Sequence, residues 1–196
     1  MPTKAKQQGL LVVLVGPSGV GKSTIARQLE ERMKVHYTVS VTTRPKQPED
    51  EKGKAYEHID KPEFYRRLDS DQYLEYAHVH GNYYATPCHP TLDLLADSKD
   101  VLLEIDVQGA LQIRDAFPDA VLIFILPPDQ QTLLQRLTDR GRDTPDDIQH
   151  RFRAARREIA MARGSRAFDY MVINDNLEHA VDEIVKIIRH KRVGGI

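Results

Sequence analysis

A short apolar run that leads directly into a glycine-rich segment constrains the fold of this chain more than any other feature of its sequence. Residues 10–15 read LLVVLV, and such a run of leucine and valine is typical of a strand buried on both faces. Residues 16–23 read GPSGVGKS, which fits the pattern G-x-x-x-x-G-K-[ST], and a helical pattern begins at Lys22. A strand, a glycine-rich loop and a helix in this order predict a parallel α/β fold that binds phosphate at the loop.

The residue types of this loop suit a nucleoside triphosphate. Glycines allow consecutive backbone N–H groups to turn toward phosphate oxygens, and the following helix adds the partial positive charge of its N-terminus. We expect Lys22 to reach the β- and γ-phosphates and the Ser23 hydroxyl to bind Mg²⁺. The predicted triphosphate-binding residues of the loop are Gly16, Pro17, Ser18, Gly19, Val20, Gly21, Lys22, Ser23 and Thr24.

Apolar runs of strand length alternate with segments of helical periodicity through most of the chain. Further strands are predicted over residues 101–105, 121–126 and 171–173, and helices over residues 22–33, 107–117, 129–139 and 177–189. This alternation is typical of a parallel sheet covered by helices on both faces. We therefore predict an α/β fold of three layers with a parallel central sheet.

Two segments interrupt the alternation. Residues 40–95 contain many turn residues and aromatics, and they predict an inserted module rather than another strand–helix unit. Residues 140–166 are rich in arginine, and Thr144, followed by Pro145 and by an acid at position 147, marks the start of a helix. We interpret this second segment as a mobile arginine-rich flap. The core of a single domain is then expected over about residues 8–39, 96–139 and 167–196.

The composition bounds the location and the partners of the protein. The 196 residues include 28 basic and 29 acidic side chains, and a net charge of −1 does not favour charge-driven binding to nucleic acid. The longest apolar run is far shorter than the ~20 residues that span a bilayer, and the N-terminus lacks the cleavage site of a signal peptide. The single cysteine, Cys88, forms no internal disulfide. We expect a cytoplasmic protein that binds neither nucleic acid nor membrane, and the sequence leaves its oligomeric state open.

Six segments together resemble the guanylate kinase family of P-loop enzymes, which transfer a phosphoryl group from ATP to GMP. The segments are GPSGVGKST, SVTTR, LEYAHVHGNYY, IDVQGA, RGRD and FDYMVIND, and the resemblance covers nearly the whole chain. It implies ATP and GMP as substrates and Mg²⁺ as cofactor. It also implies that residues 40–95 form the GMP-binding module and that residues 140–166 form a lid.

The resemblance assigns several side chains to the phosphate of GMP. Arg44 matches the arginine that grips this phosphate, and its planar guanidinium suits bidentate contacts. Tyr56 and Tyr84 match tyrosines whose hydroxyls bind the same phosphate. A second arginine of the family is missing. Without gaps Gln47 stands at its position, whereas a deletion with a later insertion places Lys46 there. We include Lys46 among the GMP-binding residues and expect somewhat weaker GMP binding, because a lysine supplies charge without the fork.

Glu75 matches the residue that selects guanine in the family. A carboxylate accepts hydrogen bonds from guanine N1–H and from the 2-amino group together. Adenine has an acceptor at N1 and no 2-amino group, so it leaves the carboxylate badly paired. The resemblance also places Ser40 and Thr86 at hydroxyl positions that help to hold the guanine, although local turn hydrogen bonds are an alternative explanation for both.

Two polar residues follow predicted strands. Asp106 comes at the end of a buried strand, where open α/β sheets hold their ligands. Three roles are open for it: contact with GMP, organisation of Mg²⁺ through water, and capping of the next helix. Asn174 matches the segment that lies beside the adenine ring of ATP in the family.

The lid segment supplies the remaining candidates. Arg140 and Arg151 match the lid arginines of the family, and with Lys22 and Arg44 they are the predicted catalytic residues. Positive charge on a closing flap would stabilise the transferring phosphoryl group and exclude water. Arg136 is a weaker candidate. The other arginines fit a solvated helix face; they are Arg153, Arg156, Arg157, Arg163 and Arg166.

Two other functions compete with transfer to GMP. One is a kinase of the same architecture that acts on another phosphorylated acceptor, such as a ribosyl phosphate, and Glu75 argues against it. The other is a non-catalytic domain of this family that binds a phosphopeptide in the acceptor cleft. Such domains have typically lost the phosphate loop, whereas Lys22 and Ser23 are intact in this sequence.

Overall fold

A computed structural model describes residues 8–47, 50, 56–79, 81–139 and 144–193 of the chain. Its strands are β1 (Leu11–Val15), β2 (His36–Tyr37), β3 (Ser40–Thr42), β4 (Tyr56–His58), β5 (Tyr73–Val79), β6 (Asn82–Pro87), β7 (Val101–Glu104), β8 (Val121–Leu126) and β9 (Tyr170–Ile173). Its helices are α1 (Lys22–Met33), α2 (Lys61–Leu68), α3 (Cys88–Ala96), α4 (Val107–Ala116), α5 (Gln130–Thr138), α6 (Pro145–Gly164) and α7 (Leu177–Val193).

The core is a five-stranded sheet in which neighbouring strands run parallel. Its order is β2-β7-β1-β8-β9, so the strand that precedes the glycine-rich loop lies at the centre. β1 and β8 are buried along their whole length, which explains their continuous apolar sequences. One apolar cluster joins the sheet to α1, α5 and α7, and a second joins it to α3 and α4. The predicted α/β fold with a parallel central sheet is confirmed.

A second, mixed sheet lies within the segment that interrupts the alternation. Its order is β4-β3-β6-β5, with β3 parallel to β4 and antiparallel to β6. Phe64 of α2 is fully buried against this sheet, and its ring centroid lies 4.9 Å from that of Tyr73 and 5.1 Å from that of Tyr83. The second sheet therefore has a small apolar core of its own, which also includes Val41 and Ala85.

The long helix of the arginine-rich segment begins where the sequence predicts it. The Thr144 hydroxyl accepts a hydrogen bond from the Asp147 N–H at 3.2 Å, and the Asp147 carboxylate accepts one from the Thr144 N–H at 3.2 Å. This capping box satisfies N–H groups that the first turn of α6 leaves unpaired.

Two features of the core differ from the sequence prediction. β2 was not predicted, because two residues at a sheet edge are too few to show a periodicity. α7 ends at Val193 rather than near position 189, and its last turn carries His190, Lys191 and Arg192, which suit the negative end of a helix. None of the described helices combines the length and the apolar character that crossing a membrane requires.

Candidate active site

The two sheets and α6 contribute to one cleft of about 680 Å³. The glycine-rich loop, the ends of the central strands and residues of the second sheet all line it, and this volume is typical of a ligand site. The cleft thus joins residues that are far apart in the sequence. The predicted site residues that line it are Gly16, Ser18, Gly19, Gly21, Lys22, Ser23, Thr24, Ser40, Arg44, Tyr56, Glu75, Tyr84, Asp106 and Arg151.

The glycine-rich loop has backbone angles that favour glycine. Gly21, the residue before α1, has a φ of 93°, and a Cβ at this position would lie 2.6 Å from the Asn174 amide nitrogen. The Lys22 ammonium donates to the carbonyl oxygens of Gly16 at 2.6 Å and of Pro17 at 3.2 Å. The lysine therefore lies across the loop, with its charge beside the backbone that is predicted to hold phosphate.

Asn174 contacts the backbone of the glycine-rich loop. Its side chain is buried, and the amide nitrogen donates to the Val20 carbonyl at 2.7 Å. The backbone carbonyl of Asn174 accepts a hydrogen bond from the Arg136 guanidinium at 3.0 Å. Asn174 therefore contacts the loop backbone, and its place beside the adenine ring stays a prediction. Arg136 itself lies in α5, and it stays the weaker candidate among the predicted lid arginines. Val20 is itself fully buried and contributes through its backbone.

Glu104, which the sequence analysis did not single out, occupies the end of β7 beside the loop. β1 and β7 run parallel with Leu14 opposite Glu104, so the carboxylate emerges next to the loop that follows β1. The Ser23 hydroxyl donates to Glu104 Oε1 at 2.8 Å, and the Tyr37 hydroxyl donates to Oε2 at 2.9 Å. Burial and the Glu104 charge raise the pKa of Tyr37 far above its ordinary value, so the phenol stays a donor.

Asp106 lies two residues further on and caps α4. Its Oδ1 accepts from the Gly109 N–H at 2.9 Å, and its Oδ2 accepts from the Gln108 amide at 3.0 Å. Burial raises the pKa of this carboxyl, although the hydrogen bonds and the nearby Lys22 charge act in the opposite direction. The capping role considered for Asp106 is therefore present, and the side chain lines the cleft at the same time.

Glu75 is the most deeply buried acid of the cleft. It is 4% exposed, and its Oε1 accepts from the Thr86 hydroxyl at 2.6 Å. The β5–β6 pairing places Glu75 and Thr86 opposite each other, which explains this contact. Burial raises the pKa of Glu75 to about 7, and the Asp106 charge adds to the shift. Burial therefore opposes ionisation of this carboxyl in the free protein.

Gly109 of α4 makes room for this carboxyl. A Cβ on Gly109 would lie 2.0 Å from Glu75 Oε2 and 2.8 Å from the carboxyl carbon. No side chain other than hydrogen fits there unless Glu75 moves, so the position of the acid depends on a bare Cα in the neighbouring helix.

Arg44 is engaged in a bidentate ion pair at another corner of the cleft. Its Nη2 donates to both carboxylate oxygens of Asp50, at 2.8 and 2.9 Å. The guanidinium carbon lies 5.5 Å from the centre of the Tyr56 ring, and that ring lies 5.8 Å from the Tyr84 ring. Burial, helped by the charge of Glu104, raises the pKa of Tyr56 well above its usual range, so its hydroxyl is neutral. These groups form a donor-rich corner of the cleft.

Gln47 lies in a turn that also contains Asp50. The Gln47 N–H donates to Asp50 Oδ2 at 2.7 Å, and the Asp50 N–H donates to the Gln47 carbonyl at 3.0 Å. This turn brings Gln47 and Asp50 to the cleft, and Lys46 is not among the described residues that line it. Whether Lys46 or Gln47 takes the place of the second family arginine stays open, and Lys46 stays a predicted acceptor-binding residue.

Helix α6 of the predicted lid segment brings two side chains of opposite charge to the cleft, Arg151 and Glu158. Burial raises the pKa of Glu158, and the Lys22 charge partly opposes the shift. Arg140 lies outside the described residues. Among the described residues of the segment, the other arginines are exposed, as predicted for a solvated face; they are Arg153, Arg156, Arg157, Arg163 and Arg166.

Four residues of this site were missed from the sequence: Glu104, Asp50, Gly109 and Glu158. Glu104 could have been predicted from the sequence. It ends a buried strand, and the carboxyl ends of parallel strands lie at the same edge of the sheet as the glycine-rich loop. No sequence pattern distinguishes the other three from the charged or helical residues around them. Each is brought to the site by a contact with a residue that is distant in sequence or across a turn.

Comparison with known proteins gives a consistent match over the chain. The family model described as guanylate kinase matches residues 8–191. A guanylate kinase of Thermus thermophilus is 45% identical over 185 residues, which cover 94% of this chain and 83% of that protein. A guanylate kinase of Dechloromonas aromatica is 44% identical, covering 92% of this chain and 89% of the relative.

Solved structures agree with the sequence relatives. The crystal structure of a guanylate kinase from Anaplasma phagocytophilum superposes with a TM-score of 0.79 and 32% identity, covering 95% of this chain and 87% of that one. A shikimate kinase from Bacteroides thetaiotaomicron superposes with a TM-score of 0.54 at 14% identity, covering 92% of this chain and 98% of that one, and shows a shared fold only.

Proposed function

This chain belongs to the guanylate kinase family, and from that premise we propose that it transfers the γ-phosphoryl group of ATP to GMP or dGMP. The observation that carries the proposal is the sharing of one cleft by the phosphate loop and a buried carboxyl at Glu75. A second substrate must lie within reach of the triphosphate for direct transfer, and the cleft has residues suited to both.

We assign the triphosphate of ATP to the loop. The backbone N–H groups and the N-terminus of α1 attract phosphate oxygens, and Lys22 adds a mobile positive charge. Its hydrogen bonds to the loop carbonyls hold the ammonium beside the expected position of the β- and γ-phosphates.

Magnesium is the cofactor proposed for this site. Ser23 and Glu104 are hard oxygen ligands 2.8 Å apart at the end of the loop, and Mg²⁺ in such sites uses few protein ligands besides phosphate oxygens and water. The residues fit the ion, with Asp106 as a further oxygen that would act through water. When bound, Mg²⁺ neutralises charge on the β- and γ-phosphate oxygens.

We assign the acceptor to the second sheet and the end of β7. Glu75 accepts from guanine N1–H and the 2-amino group, with the Thr86 hydroxyl fixing one carboxylate oxygen and Ser40 beside the cleft. Arg44, Tyr56 and Tyr84 donate to the phosphate of GMP. These assignments make residues 40–95 the GMP-binding module.

The chemical step needs placement and positive charge more than covalent catalysis. An oxygen of the GMP phosphate attacks the γ-phosphorus in line with the departing oxygen of ADP, and no general base is required because the attacking oxygen is already ionised near pH 7. Lys22 and Arg151 of the lid stabilise the equatorial oxygens, and Arg140 is the second lid arginine of the proposal.

Release of ADP over a panel of acceptors tests the function. The panel contains GMP, dGMP, AMP, CMP, UMP and ribose 5-phosphate, each with Mg·ATP. We expect efficient turnover with guanine nucleotides and a loss on the order of 10⁴-fold with AMP, because adenine leaves the Glu75 carboxylate unpaired. Preferred turnover with a non-guanine acceptor would support the other kinase, and no turnover with any acceptor would support the phosphopeptide-binding domain. We also propose a cytoplasmic location, on the composition of the chain.

A further inference from the structure

A histidine lies behind the corner of the cleft that contains Arg44. His58 is the last residue of β4, and its side chain is 18% exposed. Its Nδ1 lies 2.8 Å from the Arg44 carbonyl oxygen, and its Nε2 lies 3.4 Å from Asp50 Oδ2. Arg44 and Asp50 line the cleft, whereas His58 is not among the described residues that do. The imidazole therefore contacts the Arg44–Asp50 pair from outside the cavity.

Both ring nitrogens of His58 face oxygens that accept hydrogen bonds. A carbonyl and an ionised carboxylate have no proton to donate, and a neutral imidazole carries only one N–H. Burial disfavours the charge on Asp50, but hydrogen bonds from Arg44 and from the Gln47 N–H outweigh it and hold the pKa of this carboxyl below its usual range. A neutral His58 would thus leave Nε2, buried and without a hydrogen-bond partner among the described residues, facing a carboxylate.

Protonation of the ring removes this mismatch. Nδ1–H then donates to the Arg44 carbonyl, and Nε2–H turns the contact with Asp50 into an ion pair. Among the described residues, the charged or titratable groups in contact with the ring are Arg44, Asp50 and Tyr56, whose ring centroid lies 6.2 Å away. Burial raises the pKa of Tyr56, so this phenol adds no charge.

The charge of the cluster determines how well it attracts a phosphate. Arg44 contributes +1 and Asp50 contributes −1, and the bidentate contact between them cancels most of the guanidinium charge. The family resemblance expects a second arginine near this corner, and either Gln47 or Lys46 stands at its position. A protonated His58 gives the cluster of Arg44, Asp50 and His58 a net charge of +1.

We propose that His58 is a positioning residue for the acceptor phosphate, which as an imidazolium neutralises Asp50, fixes the Arg44 backbone and leaves the Arg44 charge available to GMP. The inference rests on the proposed function, since it concerns the same acceptor site. His58 acts through Arg44 and does not itself contact the nucleotide. Its positive charge would add to that of Arg44 in a site that lacks the second arginine of the family.

Two conservative variants of the full chain test the proposal. His58→Asn keeps an amide near Nδ1, and His58→Gln keeps one near Nε2, but neither can become positively charged. At pH 6 we expect each to raise KM for GMP about tenfold, to lower kcat by a smaller factor, and to leave KM for ATP within about twofold. His36→Asn, an exposed histidine of β2, is the matched control and should leave all three constants near wild type.

The pH profile separates this role from simple structural support. The ratio of KM for GMP in His58→Asn to that in wild type should be larger at pH 6 than at pH 9, because a histidine can gain a positive charge on protonation and an asparagine cannot. Using a ratio cancels the ionisation of GMP and of Glu75, which both proteins share. A ratio that does not change with pH would overturn the proposal.

The effect of His58→Asn in a protein that already carries Asp50→Asn is an independent test of the proposal. In Asp50→Asn there is no carboxylate to neutralise, so adding His58→Asn should raise KM for GMP by a clearly smaller factor than the about tenfold expected in the wild-type background. A tenfold change in that background would contradict the proposed link through Asp50. Failure of the proposed function is distinct, because wild type would then release no ADP with GMP. An active wild type with a KM ratio near one at every pH would overturn only the role of His58.

Discussion

At the scale of single residues, the cleft is notable for carboxyls that are kept from water. Burial raises the pKa of Glu75, of Asp106 and of Glu158, each in a site proposed to bind two polyanionic nucleotides. A raised pKa reduces the negative charge that the free cleft presents to phosphate. Ionisation of Glu75 destabilises the folded state, because the charged carboxylate is poorly solvated at its buried position.

Glu75 should make the stability of the free protein depend on pH. Its pKa is about 7 when folded against an ordinary 4.5, so its contribution to stability is complete below the lower value and is lost as pH rises through the higher one. Relative to Glu75→Gln, the free energy of unfolding of wild type should fall by on the order of 2 kcal/mol between pH 5 and pH 8. Urea unfolding of both proteins without nucleotide measures this difference. A difference that is flat with pH would show that Glu75 ionises normally.

At the scale of secondary-structure elements, two contacts set the geometry of the site. α4 packs against β5 so closely that Gly109 touches the Glu75 carboxyl, and the cap at Thr144 fixes the start of α6. In both cases the type of a single residue affects the position of another part of the site. Each can be tested by adding or removing a single group.

Gly109→Ala should impair guanine recognition without affecting ATP. The new methyl group would lie 2.0 Å from Glu75 Oε2 and must displace the carboxyl. We expect KM for GMP to rise at least about tenfold, while KM for ATP stays within about twofold, as steady-state kinetics would show. Gly164→Ala is the matched control, because nothing lies within 4 Å of its added Cβ. An unchanged KM for GMP in Gly109→Ala would refute the close approach.

Thr144→Ala should loosen the first turn of α6. The substitution removes the hydroxyl that accepts from Asp147 and leaves N–H groups unpaired, which typically costs about 1 kcal/mol. Hydrogen exchange should be faster at the amides of residues 146–148 and unchanged in β1 and β8. Thr138→Ala, whose hydroxyl bonds within α5, serves for comparison and should leave α6 protected. Uniform acceleration over the whole chain would instead indicate global destabilisation.

At the scale of the whole molecule, the cleft is assembled from the phosphate loop, the second sheet and α6, none of which forms it alone. Transfer requires that their charges converge on one phosphoryl group. α6 therefore contributes to the reaction only through its position against the other two parts. Its two faces differ accordingly, since Arg151 lines the cleft and Arg156 is exposed.

Arg151→Ala should lower kcat more than it affects substrate binding. Loss of one charge that stabilises the transition state typically costs about 10²–10³-fold in kcat, and the loop still holds ATP through its backbone. Stopped-flow or coupled assays at saturating GMP and ATP measure this effect. Arg156→Ala, on the exposed face of the same helix, should stay within about twofold of wild type. A rise in KM for ATP with kcat unchanged would assign Arg151 to ground-state binding alone.

Local patterns determined much of this protein from the sequence by itself. The buried strand, the glycine-rich loop and α1 are contiguous, so their residue types predict them without knowledge of any partner. The same holds for the start of α6, where Thr144 and Asp147 interact three residues apart. The acceptor residues came from the family resemblance of whole segments, and the structure brings Arg44, Tyr56 and Glu75 to the same cleft.

Contacts between distant segments were decided only by the tertiary structure. Glu104 meets Ser23 across 81 positions, and Asn174 meets Val20 across 154, so no local periodicity encodes either pair. The dependence of Glu75 on Gly109 could not be predicted for the same reason. The sequence shows only a glycine within a helix, and the structure shows that the Glu75 carboxyl lies against it. Sequence fixes which groups are present and how each short segment folds, whereas burial, pKa and pairing arise only when the folded chain places segments side by side.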